Sequence, residues 1–183
     1  MRMARDAIDP VRRYDLSGAI DAKLDEVDAF SRAAVVGFYF SMGSEVQTGA
    51  LIRRVVEEEG RRAFLPFVRN DELFMTEWRP SDPVVDAPHV GMQPRYSREA
   101  SLDDLEAIVV TGLAFDERGR RLGEGTGHVD GLLRRLPERV LRIGVEFDQL
   151  VVPAFTEGAD GEPVDVVVTE SRIVETGARN QST

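Results

Sequence analysis

The chain contains no cysteine. That excludes a disulfide framework, a thiolate metal site and a cysteine nucleophile together. Histidine is scarce, with only His89 and His128, too few for a multi-histidine metal centre. Lysine is nearly missing as well: Lys23 stands alone, and every other basic side chain is arginine. An arginine bias fits either GC-rich coding or selection for a planar donor that grips phosphate in bidentate fashion. No apolar run approaches the roughly 20 residues of a membrane span. The segment Met1 to Arg13 is charged and lacks the apolar core of a secretion signal, so a cytoplasmic protein is expected. Positive charge is also outweighed, the net charge being −10. Nucleic acid and anionic membranes both reward positive charge, so neither is an expected partner.

What is present has the make-up of a globular protein: 183 residues, 42% apolar and 31% charged. A chain of this length buries roughly two-thirds of the surface exposed by its unfolded form, without metal or disulfide support. A single domain is expected over 1–176, with 177–183 as a flexible tail.

Apolar periodicity sets the elements. Ile20, Leu24, Val27 and Phe30 fall on one helical face, which makes residues 1–31 helical with an uncertain start. Ala33 to Phe40 is a continuous apolar run, suited to a strand buried on both faces. Leu51, Ile52, Val55 and Val56 form a helical stripe within Thr48 to Glu59, stopped by Gly60. Short strands are expected at 63–66 and 74–78. Asp82 to Ser97 carries three prolines and reads as an excursion over a cleft rather than long regular structure. Ala107 to Thr111 is a second buried strand, a helix is expected from about His128 to Leu136, and 141–145 and 164–169 are further strands. Buried strands alternating with helices imply an α/β fold with a mainly parallel sheet. Ligands in such sheets sit beyond the carboxyl ends of the strands, which points to the loops after Phe40 and after Thr111.

The second loop leads into Arg121-Leu122-Gly123-Glu124-Gly125-Thr126-Gly127-His128-Val129-Asp130. Alternate glycines let backbone amides close around an anion, and the following helix adds its N-terminal dipole. Arg121 offers a fork of donors to phosphate, and Asp130, in the first helical turn, can hold a magnesium ion. The run is neither a dinucleotide fingerprint, which needs glycine where His128 stands, nor a Walker loop, which needs Lys-Ser/Thr after its last glycine. On spacing alone a flexible loop capped by Asp130 fits as well.

Gly112, Phe115, Asp116, Gly119, Arg121, Leu122, Gly123, Gly125, Gly127 and Asp130 match in register the run PG-x-x-FD-x-x-G-x-RLG-x-G-x-GYYD. Ser41, Glu45 and Thr48 follow the strand ending at Phe40 as S-x-x-x-E-x-x-T. With weaker echoes over about 31–171, the chain thereby resembles the 5-formyltetrahydrofolate cyclo-ligases. The resemblance implies a three-layer α/β/α fold of the NagB/RpiA/CoA-transferase-like class, as a monomer or homodimer. It also implies ATP-dependent closure of 5-formyltetrahydrofolate to 5,10-methenyltetrahydrofolate with Mg2+. In that reaction the formyl oxygen attacks the γ-phosphate, N10 attacks the activated carbon, and phosphate leaves.

By the same resemblance, Arg121, Gly123, Glu124, Gly125, Thr126, Gly127 and Asp130 hold ATP, and Asp130 its metal. Phe40, Met42, Glu45 and His128 face the folate, and Arg121, Asp130 and His128 make the catalytic set. Three departures stand out. His128 and Val129 replace paired tyrosines, and Thr126 fills a position given to glycine or lysine. The lysine and arginine that the family's first helix presents to ATP have no clear counterpart, although Arg2 and Arg5, or Arg12 and Arg13, are candidates. Two alternatives follow from these changes: a relative acting on another formylated or carboxylated substrate, or a non-catalytic nucleotide- or folate-binding protein.

Overall fold

In a computed structural model, described for residues 1–87, 90–123, 125–156, 159 and 161–178, the first 32 residues form three helices rather than one. Helices α1 (Arg2–Asp6), α2 (Pro10–Leu24) and α3 (Asp28–Arg32) follow one another. The break before α2 has a local cause. Pro10 occupies the first turn, where its missing N–H costs nothing, and Asp9 caps it by accepting from the amides of Val11 and Arg12 at 2.9 and 3.2 Å. Ile20, Leu24, Val27 and Phe30 are all buried, as their spacing requires.

The central sheet has seven strands, in the order β12-β11-β9-β6-β1-β2-β3. Its strands are β1 (Val35–Gly37), β2 (Arg62–Arg69), β3 (Glu72–Trp78), β6 (Ala107–Val110), β9 (Leu141–Val145), β11 (Val166–Val168) and β12 (Ile173–Glu175). The five inner strands pair in parallel, and only the edge strands β3 and β12 run antiparallel. Both outer edges follow tight reversals that the hydrophobic pattern does not reveal. Between β2 and β3, Asn70 and Asp71 take positive φ of 52° and 62°, the conformation of a two-residue hairpin turn. Strand β1 is shorter than the apolar run containing it, because the chain leaves the sheet after Phe38 to build a loop.

Side chains alternate between two cores. Val36, Val109, Ile143 and Val168 face α2, α3 and α4 (Gly49–Glu57) on one side. Val35, Ile108, Val110 and Val167 face α5 (His128–Arg135) on the other. This is the expected three-layer arrangement, with one difference. The second outer layer also contains a three-stranded sheet of β10 (Val151–Val152), β7 (Ala114–Asp116) and β8 (Arg121–Leu122). Phe115 of that sheet lies on Gly144 of β9, whose missing Cβ would stand 2.5 Å from the ring. The proline-containing stretch 82–97 also differs from expectation in being a hairpin, β4 (Val84–Ala87) with β5 (Gly91–Pro94). The start of β5 comes over the loop after β1: a Cβ on Gly91 would collide with the Met42 side chain at 2.4 Å.

Candidate functional site

Strands β1 and β6 are neighbours, but their connections run in opposite directions, β1 leading to β2 and β6 leading onward to β9. The sheet therefore has a switch point between them, where a crevice opens at the carboxyl ends. A cleft lies there. The loop after β1 contributes Met42 and Glu45, and the end of β6 contributes Thr111 and Gly112. Arg121, Gly123, Gly125, Thr126, Gly127, Val129 and Asp130 close its far side. The two segments singled out by sequence, some 80 residues apart, thus line one space.

The glycines differ in purpose. Gly125 and Gly127 have φ of 87° and 72°, a region where L side chains are strained, and a Cβ on either would meet nothing within 4 Å. They turn the backbone while leaving room beside it. Gly127 is the N-cap of α5, so the unsatisfied amides and dipole of that helix begin at the cleft. At Gly123 the constraint is contact: a Cβ would lie 3.0 Å from Arg121 Nη1. Gly119 belongs to the β7–β8 turn, packed against Val164 O, and is away from the cleft. Glu124 lies outside the described residues, as does His89.

Buried Arg121 and half-buried Asp130 form an ion pair. Arg121 Nη2 donates to Asp130 Oδ1 at 2.7 Å, and the Glu162 amide donates to the same oxygen at 2.9 Å. Arg121 Nε has no hydrogen-bond partner among the described residues, and its other donor reaches Thr111 O at a long 3.4 Å. A guanidinium so incompletely satisfied has capacity for an oxyanion. Asp130 Oδ2 is left without a hydrogen bond among the described residues. Magnesium in phosphate sites takes one or two carboxylates and completes its shell with water and phosphate, and Asp130 fits that demand. Among the described residues no three acidic or histidine side chains form a metal cage.

Two expected members stand elsewhere. Phe40 is not part of the cleft lining; it packs edge-to-face on Trp78 with ring centroids 6.1 Å apart. His128 faces a neighbouring groove with Asp71 and Arg135, its Nε2 3.3 Å from Asp71 Oδ1. Thr126 and Gly127 line both spaces. Helical direction explains this: Asp130, two residues on from His128 and about 200° round the helix, points to the other side.

The N-terminal cations also sort themselves. Arg2 and Arg5 line a groove with Met42, Ser44 and Glu45, whereas Arg12 is exposed and Arg13 donates to Ile8 O at 2.9 Å. Arg5 is buried and bonds to Gly112 O at 2.7 Å, Ser44 Oγ at 3.2 Å and Glu146 Oε2 at 3.3 Å. Glu146, fully buried, was not singled out from sequence. An acid directly after the buried strand 141–145 was the available signal. Burial pushes its carboxyl up to about 7, and nearby Glu45 adds to the rise, while the Phe147 amide and Arg5 oppose it. Glu45 itself accepts from the Met42 amide at 2.7 Å.

Residues 1–170 match the sequence pattern of the 5-formyltetrahydrofolate cyclo-ligase family. The chain is 26% identical over 182 residues to 5-formyltetrahydrofolate cyclo-ligase of Escherichia coli, covering 96% of this chain and 99% of the relative. It is 30% identical over 140 residues to the enzyme of that name from Mycolicibacterium smegmatis, covering 72% and 69%. Its structure is similar to that of Aquifex aeolicus 5,10-methenyltetrahydrofolate synthetase, with a TM-score of 0.84 at 28% identity over 95% of this chain and 88% of the other. The Mycoplasma pneumoniae synthetase shares the fold, with a TM-score of 0.71 at 15% identity over 92% and 93%.

Proposed function

The chain belongs to the 5-formyltetrahydrofolate cyclo-ligase family, and from that premise we propose that the cleft between β1 and β6 closes 5-formyltetrahydrofolate to 5,10-methenyltetrahydrofolate at the expense of ATP. The observation that carries this reading is the meeting of two dissimilar walls. One wall is a phosphate cradle made of the backbone at Gly123, Gly125, Thr126 and Gly127, the α5 N-terminus and Arg121. The other is a half-apolar wall with an acid, Met42 and Glu45. Triphosphate suits the first and a pterin the second.

In-line phosphoryl transfer requires little covalent chemistry from a protein; positioning and charge neutralisation supply most of the rate. Arg121 and the loop amides orient the phosphates so that the γ-phosphorus faces the second wall. Asp130 would hold Mg2+, which supplies charge neutralisation on the phosphates. Glu45, fixed by its bond to the Met42 amide, accepts from the pterin ring and Met42 covers its face. The formyl oxygen attacks phosphorus and releases ADP; N10 then attacks the formyl carbon, losing its proton as inorganic phosphate departs. Phe40 acts behind this wall as packing, and His128 stands beside the loop rather than at the formyl group.

The test is direct. Purified protein with 5-formyltetrahydrofolate and Mg-ATP should produce a methenyl product, followed by its near-ultraviolet absorbance, with one phosphate released per ring closed. Absence of product with both substrates saturating contradicts the reading.

A further inference from the structure

Beneath the cleft, the ends of three adjacent strands are joined by one side chain that belongs to none of them. Arg5, 3% exposed, enters from the five-residue helix α1. It bonds to Ser44 in the loop after β1, to Gly112 after β6, and to Glu146 at the end of β9. These strands are consecutive in the sheet. The contacts are unusually long-range for a surface helix, bridging up to 141 positions in sequence. Two of the contacted segments reach the cleft: Glu45, next to Ser44, is in its folate wall, and Gly112 is in its floor. Ser44 in turn donates to Asp6, so α1 is fastened twice to the same loop.

We propose that Arg5 and Glu146 act as a positioning clamp for the folate wall, fixing Glu45 and the end of β6 in register without touching substrate. This rests on the functional reading above and deepens it. The division of labour is physical. A guanidinium presents donors in a rigid fork that can hold several acceptors at once, which an ammonium cannot. Buried without a counter-charge it would be costly, and Glu146 supplies that charge. Three titratable groups face Glu146: Arg5 from α1, Glu45 from the loop after β1, and Tyr39, whose hydroxyl proton is held well above its ordinary range by burial and by both acids. Because the Glu146 carboxyl sits at about 7, the clamp is charged on both sides in neutral to alkaline solution and loses its anion in mildly acidic solution.

Steady-state kinetics of Arg5→Lys and Glu146→Gln tests the clamp, with thermal melting as a check on folding. Each variant should raise KM for 5-formyltetrahydrofolate about tenfold, the scale of one lost hydrogen bond to a charged group, while KM for ATP stays within about twofold. Wild-type KM for the folate should rise as pH falls through about 7, and Glu146→Gln should hold a constant, already raised value over the same range. Unchanged folate KM in both folded variants, or an equal rise for folate and ATP, overturns the clamp. So does the same pH dependence in Glu146→Gln as in wild type. A wild-type protein that forms no methenyl product overturns the functional reading and the clamp together, whereas an active wild type with indifferent variants overturns the clamp alone.

Discussion

Asp130 holds two positions at once, as the counter-ion of Arg121 and as the acid of the first turn of α5. Replacing it by asparagine keeps an acceptor oxygen for Arg121 and the Glu162 amide but removes the charge. Asp130→Asn is therefore expected to melt within a few degrees of wild type while its methenyl-forming rate falls at least about a hundredfold, the cost of losing one electrostatic element of a phosphoryl-transfer site. An unchanged rate would remove Asp130 from the metal role. Glu146 gives a second prediction, with a definite sign. Its carboxyl stands at about 7 in the folded protein against an ordinary 4.5, so the folded state holds this proton more tightly than the unfolded chain does. Its contribution is fully favourable below about 4.5 and is lost as pH rises through about 7, a change of roughly 3 kcal/mol. Glu58 works in the opposite sense at lower pH, its carboxyl being held down by its hydrogen bond to Arg61. Denaturant titrations at pH 5 and 8 should show wild type losing stability between them, and Glu146→Gln losing much less.

At the scale of elements, two glycines, Gly144 in β9 and Gly125 in the loop before α5, do different jobs. Gly144→Ala would drive a methyl group into Phe115, where the two sheets touch. Overpacking of this kind costs about 1–3 kcal/mol, and calorimetry should show the loss as a lower melting temperature with KM for ATP unaltered. Gly125→Ala meets no neighbour but must keep φ near 87°, which costs about 1–2 kcal/mol. The loop can escape that strain by relaxing, so its signature should be a raised KM for ATP with little change in melting temperature. The pair of variants tells a packing glycine from a cradle glycine. The buried strands β1 and β6 were legible from apolar runs, because burial on both faces leaves no polar alternation, and α5 from its place between the glycine-rich loop and Pro137. The break at Asp9-Pro10 has a local cause, a cap followed by a first-turn proline, which the apolar stripe from Ile20 to Phe30 does not reach. Strands β7, β8 and β10, of three, two and two residues, are too short to have a period at all.

For the whole molecule, ligand linkage provides the broadest test. Mg-ATP at about a hundred times its Kd should stabilise the fold by about 3 kcal/mol, roughly 5–10 °C in a chain of this size, and 5-formyltetrahydrofolate should do the same independently. Stabilisation by nucleotide without stabilisation by folate would favour a relative with another substrate. No helix among the described residues is long and apolar enough to cross a membrane, in line with the sequence.

The sequence by itself determined the α/β class, the family, and the segment where phosphate chemistry belongs. Each is written locally, in strand periodicity, glycine spacing and a carboxylate one turn into a helix. Only the tertiary structure decided which of those residues share a space. Met42 and Glu45 meet Asp130 because β1 and β6 pair across 71 positions, whereas His128 is carried to another groove by the turn of a helix. The role of Arg5 and Glu146 was likewise invisible in one dimension. A buried ion pair is made by two charges arriving at the same strand ends from opposite ends of the chain, and no local pattern records their arrival.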